Sequence, residues 1–177
     1  MNVFVLNSGR CGSTTFIQAC RHIDNFSAGH ESRIGRIGPE RLAYPANHIE
    51  ADNRLSWLLG RLDRTYGDNA RYVHLIREPD ATARSFHKRR EMGIMRAYRE
   101  GILLGGEPGQ EPLAIAHDYL DTVDGNIRLF LRDKRRRMEF HLENAGADFR
   151  RFWSWIGAEG DLAQALAQWE INHNASA

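Results

Sequence analysis

Short apolar runs and segments with helical spacing take turns along the chain. Val3-Phe4-Val5-Leu6 is apolar and β-prone, and Ser8-Gly9-Arg10-Cys11-Gly12-Ser13 cannot continue it. Thr14 to Ile23 then reads as a helix. Strands are expected at Phe26 to His30 and at Asn47 to Glu50. Asp52 suits the N-cap of a helix carrying Leu55, Leu58, Leu59, Leu62 and Tyr66, stopped by Gly67. Tyr72 to Ile76 is the next strand, and Pro79 opens a helix expected to reach Arg99. Gly101 to Pro112 holds four Gly and two Pro, so it is expected to be a loop and a candidate lid. Leu113 to Arg132 reads as helix, weakened at Gly125, and Arg137 to Leu142 as a late strand. Asp148 is expected to cap a last helix carrying Phe149, Phe152, Trp153 and Ile156, closed by Gly157. Strands alternating with helices predict an α/β fold: a mostly parallel central sheet with helices on both faces, in three P-loop-like layers.

Composition narrows this picture without redirecting it. A length of 177 residues favours one domain over 1–177, and 42% hydrophobic with 27% charged residues is ordinary for a globular chain. The formal net charge of +1 provides no bulk attraction for nucleic acid or membrane, so any anion site must be local. Cys11 and Cys20 form a poor disulfide framework, which points to a reducing compartment. No stretch approaches membrane-spanning length, and no basic, apolar leader precedes Val3. A cytoplasmic location is expected.

The chemistry concentrates after the first strand. Gly9-Arg10-Cys11-Gly12-Ser13-Thr14-Thr15 lies where a parallel sheet binds ligands, at a strand's carboxyl end feeding a helix. Glycines let backbone N–H groups converge on an anion, and the helix N-terminus favours negative charge. Ser13, Thr14 and Thr15 add hydroxyl donors, and Arg10 a forked cation. An ordinary βα turn would also use Gly and Ser. No lysine follows Gly12, so the loop is not a Walker A motif, which counts against a P-loop-like nucleotide kinase.

A second arrangement raises the specificity of the first. Tyr72 to Ile76 runs into Arg77-Glu78-Pro79, and Ser85 lies along the following helix. An Arg at the strand end can pair bidentately with a phosphate, and the serine, about two turns on, can add a neutral donor. Together the two segments resemble the sulfotransferase superfamily. Asn7 to Phe16 is similar to its 5′-phosphosulfate loop, with Cys11 in place of the usual serine. Arg77, Pro79 and Ser85 resemble its 3′-phosphate motif.

The resemblance implies a fold and an activity. The donor would be 3′-phosphoadenosine-5′-phosphosulfate and the product adenosine 3′,5′-bisphosphate, with a hydroxyl or amine as acceptor and no metal. It places Gly9, Arg10, Cys11, Gly12, Ser13, Thr14, Thr15, Arg77 and Ser85 at the nucleotide, with Arg10 beside the departing oxygen. The C-terminal R-K-G element of the cytosolic branch is absent, as is its dimer motif, which leaves the chain closer to compact bacterial or Golgi-type branches.

Sulfuryl transfer also needs a base for the acceptor's proton. Gly29-His30-Glu31-Ser32 ends the second expected strand, which is expected to lie beside the phosphate-loop strand with its end on the same side of the sheet. Glu31 is the first candidate and His30 the second; an ion pair of Glu31 with Arg33 or Arg36 is the structural alternative. The eight histidines form no H-E-x-x-H pattern and no zinc spacing. Lys88-Arg89-Arg90 and Arg132 to Arg137 fit a solvated helix face, or steering of an anionic cofactor. Aromatic residues are missing from these runs, which disfavours nucleic acid. Trp153, Trp155 and Trp169 could shape an acceptor pocket, though Trp153 beside Phe149 and Phe152 suits the core. A non-catalytic bisphosphate-binding module remains the alternative from a different class.

Overall fold

A computed structural model of the chain describes residues 1–91 and 93–171. The elements run β1 (Val3–Leu6), α1 (Ser13–Cys20), β2 (Ser27–His30), β3 (His48–Ala51), α2 (Leu59–Tyr66), β4 (Arg71–Ile76), α3 (Pro79–His87), α4 (Gly93–Ala97), α5 (Pro112–Leu131), β5 (Arg137–His141), α6 (Ala145–Ile156) and α7 (Leu162–Ala167). The strands form one sheet in the order β2-β3-β1-β4-β5, and every pairing is parallel. The fold is α/β, as expected, with helices on both faces.

Central position explains the composition of β1. All four of its residues are fully buried, because a parallel strand covered on both faces has no polar side. Phe4 and Leu6 face a core shared with Leu62 of α2, Phe86 of α3 and Tyr119 of α5. Val3 and Val5 face the opposite core, with Phe16 of α1, Phe149 and Phe152 of α6 and Ala165 of α7. Phe16 meets Phe152 and Phe140 edge-on, at centroid distances of 4.9 and 5.1 Å. Burying such a ring contributes about 1.5–3 kcal/mol, so it pins the first turns of α1 against the sheet.

Several expectations change in detail. Asp52 does cap, but it caps a 3₁₀ turn over Asn53–Trp57 by accepting from the Arg54 N–H, and α2 starts only at Leu59. The helix opened by Pro79 stops at His87 instead of reaching Arg99. Gly93, at φ 55°, holds a left-handed conformation that does not continue an α-helix. Met92, inside that expected helix, lies outside the described residues. A π-helical turn, Tyr98–Ile102, precedes the Gly-rich loop. Asp148 is not the cap of α6: it sits within the first turn and accepts from the His141 N–H at 2.8 Å, tying α6 to the end of β5. Gly157 closes α6 at φ 68°. α7, capped by Asp161, was not expected. Its small Ala-rich face made no pattern strong enough to read.

One topological expectation is corrected. The sequence sets β2 beside β1, yet β3 lies between them and β2 is an edge. Strand order depends on which crossover packs where, and local periodicity carries no record of it.

Candidate active site

Five parallel strands put all their carboxyl ends at one edge of the sheet, and a cleft of about 930 Å³ opens there. Each strand contributes to its lining. β1 supplies Gly9, Arg10, Gly12 and Ser13 to Thr15; β2 leads to His30 and Glu31; β3 to Asn53 and Arg54; β4 to Arg77; β5 to Leu142. Ser85, Lys88 and Arg89 enter from α3 and the turn after it, and Trp169 from the C-terminal turn.

The loop after β1 is shaped to present backbone. Asn7 accepts from the Gly9 N–H at 2.9 Å in an Asx turn, and Gly9, Arg10 and Gly12 all have positive φ, 95°, 59° and 85°. Gly12, at φ 85°, holds a conformation that favours glycine, and an added Cβ would displace the tip of Leu142, whose Cδ1 lies 2.7 Å away. Gly12 is the N-cap of α1 and provides no side-chain cap, which leaves the first N–H groups of the helix to the cleft. The contrast with α3 is sharp. There Glu78 accepts from the N–H groups of Asp80 and Ala81 at 2.9 and 2.6 Å, so that helix start is already occupied by a carboxylate. Those two bonds hold the Glu78 carboxyl below its ordinary range.

The two anion motifs are wired together. Arg10 Nε donates to Ser85 Oγ at 3.0 Å, and Arg77 Nη1 donates to the Arg10 carbonyl at 3.1 Å. A residue assigned to the 5′ loop thus touches a residue assigned to the 3′ site. Ser85 accepts from Arg10 and keeps its own proton for another acceptor. Burial, and then the neighbouring guanidinium groups of Arg89 and Arg77, depress the pKa of Arg10.

Cys11 is placed differently from its loop neighbours. Its side chain is buried, donates to the Gly9 carbonyl at 3.1 Å and does not line the cleft. Burial pushes the thiol up to about 11, so it is a neutral packing group. Only its backbone is available to a ligand.

Across the cleft, His30 Nε2 lies 3.0 Å from Ser13 Oγ, which brings the β2 end to the start of α1 despite the intervening strand. Glu31 stands at φ 51° and pairs with Arg54 Nη1 at 3.0 Å, not with Arg33 or Arg36. Beneath them is a layer of buried polar groups that periodicity did not single out. Glu50, fully buried, accepts from the Ser32 N–H at 2.7 Å and from Ser32 Oγ at 2.6 Å, and it lies 2.9 Å from His48 Nε2. Asp52 pairs with the buried Arg41. Glu50 and Asp52 alternate with apolar Ile49 and Ala51, a signal that was available in the sequence and could have been read as a polar face.

Trp169 packs on Phe140 at 5.4 Å and also borders the cleft, whereas Trp153 joins the core around Phe149. Among the described residues no three His, Cys, Asp or Glu side chains gather as metal ligands would. No helix among them is long and apolar enough to cross a membrane.

No protein-family model matches the chain, and no curated protein matches it. Solved structures do. A sulfotransferase domain from the curacin biosynthetic pathway aligns over 97% of this chain and 78% of its own, with a TM-score of 0.68 and 14% identity. Mouse sulfotransferase SULT7A1, complexed with PAP, aligns over 99% of this chain and 68% of its own, with a TM-score of 0.62 and 13% identity. With its all-parallel sheet flanked by helices, the chain has the fold of the sulfotransferases.

Proposed function

We propose that the cleft binds 3′-phosphoadenosine-5′-phosphosulfate and that the chain transfers its sulfuryl group to a hydroxyl or amine acceptor. The observation that carries this reading is the joining of an uncapped helix start to a strand-end arginine and a helix serine, through Arg10–Ser85 and Arg77–Arg10. The residues present fit such a nucleotide: Gly9 and Gly12 keep the loop open, and cations line the cleft where its anionic groups would lie.

The donor supplies an activated sulfuryl group, and the chain supplies position and charge. The first N–H groups of α1, with Ser13, Thr14 and Thr15, hold the 5′ anionic end. Arg77 and Ser85 hold the 3′-phosphate. Arg10 reaches from the loop to Ser85 and stabilises charge that grows on the departing oxygen. Glu31, oriented by Arg54, takes the acceptor's proton. His30 is the second candidate, because its imidazole already lies within hydrogen-bond reach of Ser13. Arg10 and Glu31 share a further feature. Both hold left-handed backbone at non-glycine residues, a conformation that concentrates at functional sites.

Calorimetry tests the donor assignment. Adenosine 3′,5′-bisphosphate should bind far more tightly than AMP or ATP, and equal affinities would end it. A donor-coupled screen of hydroxyls and amines by mass spectrometry, read as the gain of one sulfo group, tests turnover. Selective bisphosphate binding with no turnover of any acceptor would favour the non-catalytic module. Magnesium-dependent ATP binding would favour a kinase. Cys11 and Cys20 are both free thiols, which supports a reducing, cytoplasmic setting.

A further inference from the structure

The basic run Lys88-Arg89-Arg90 is divided by the structure. Arg90 turns outward to Glu91, at 3.7 Å, whereas Lys88 and Arg89 line the cleft. The cause is local. α3 ends at His87, and the Arg89 N–H donates to the Phe86 carbonyl at 2.8 Å, closing a tight turn in place of further helix. That turn brings Arg89 to the same wall as Ser85, four positions earlier. Arg84 on this wall is only loosely paired, at 3.9 Å from Glu78. Among the described residues Lys88 and Arg89 form no ion pair.

Cations gathered at one wall repel one another, and here the repulsion is visible in Arg10, whose charged form is disfavoured by Arg89 and Arg77 as well as by burial. Such a wall is unfavourable without a multiply charged anion against it and favourable with one. Two described carboxylates line the cleft: Glu31, engaged by Arg54 on the other wall, and Glu170 in the turn that follows α7.

We propose that Arg89, assisted by Lys88, is a third cationic contact for the nucleotide, completing the 3′-phosphate subsite begun by Arg77 and Ser85. It would set the preference for a bisphosphate over nucleotides charged only at the 5′ end. The inference rests on the donor assignment above and goes beyond it, because it assigns the turn after α3 a role in selectivity.

The test is calorimetry with adenosine 3′,5′-bisphosphate and with AMP on the full chain, its folding checked by thermal melting. Arg89→Ala should weaken the bisphosphate about 10–100-fold, the range for one charge-assisted phosphate contact. AMP should change less than about threefold. Arg89→Lys should recover part of the loss, and the outward Arg90→Ala should alter neither ligand. Loss of equal size for both ligands, or for neither, would overturn the proposal while leaving the donor assignment intact. A wild-type chain that binds the two ligands equally would instead sink the donor assignment, and this inference with it.

Discussion

On one wall of the cleft, built from the β1 loop, Arg77 and α3 with its following turn, five basic side chains (Arg10, Arg77, Arg84, Lys88 and Arg89) face the same space. On the other wall, built from the ends of β2 and β3, Arg54 pairs with Glu31; beneath it the buried Arg41 pairs with Asp52, and His48 Nε2 lies 2.9 Å from Glu50. The first wall is rich in cations, which suits an anionic ligand. The second is already satisfied by its own partners, which costs nothing when the cleft is empty and holds the Gly29 to Ser32 turn in one conformation. A cationic wall suits ground-state binding, and a neutral, ordered wall suits placing a proton acceptor. Changes on the two walls should therefore separate into binding effects and rate effects.

The sharpest test of this division is Glu31→Gln, which keeps shape and removes the acceptor. Its single-turnover rate, measured under saturating donor with an acceptor from the screen, should fall by about 10²–10⁴, with bisphosphate affinity unchanged. A fast Gln variant beside a dead His30→Ala variant would transfer the base role to His30. If both stayed active, the whole turn would be structural.

Glu50→Ala should cost about 1–3 kcal/mol in denaturant unfolding, because it removes the acceptor of the Ser32 bonds and leaves the buried His48 without its partner. Its residual bisphosphate binding should be near normal wherever the chain remains folded. Loss of binding in the folded variant would mean that the two walls are coupled.

Arg10→Ala crosses the division, since Arg10 sits on the binding wall but is assigned to the transition state. A fall of about 10²–10³ in kcat is expected, larger than its effect on donor affinity. Affinity loss with kcat kept would make Arg10 a ground-state anchor like Arg77.

The smallest expected effect concerns Cys11, which lies under the binding wall. Burial holds its thiol neutral up to about 11, while an exposed thiol ionises near ~8.5. The unfolded chain therefore releases this proton first. The stability is fully present below the exposed value and is lost as pH rises toward the folded one, by at most about 1.4 kcal/mol per unit. Urea unfolding across that range should show a shallower decline in Cys11→Ala; an unchanged slope would remove the thiol from the account.

Much of the binding wall was legible because its signals are local. Gly9 and Gly12 mark a turn that a side chain would block, and Arg77-Glu78-Pro79 marks a strand end beside a helix start. The sequence alone was sufficient for the parallel α/β class, for an apolar strand at Val3 to Leu6 and for naming the residues of both segments. The opposite wall was only half legible. His30 and Glu31 could be named, but their partners Ser13 and Arg54 are brought to them by the fold. That β3 separates β2 from β1, that Arg10 bonds Ser85 within one wall of the cleft, and that Cys11 faces the core were decided only in three dimensions. The physical reason is range. Turn geometry and apolar periodicity act over a few residues and leave a mark in sequence, while strand order and side-chain pairing depend on which distant segments share a layer.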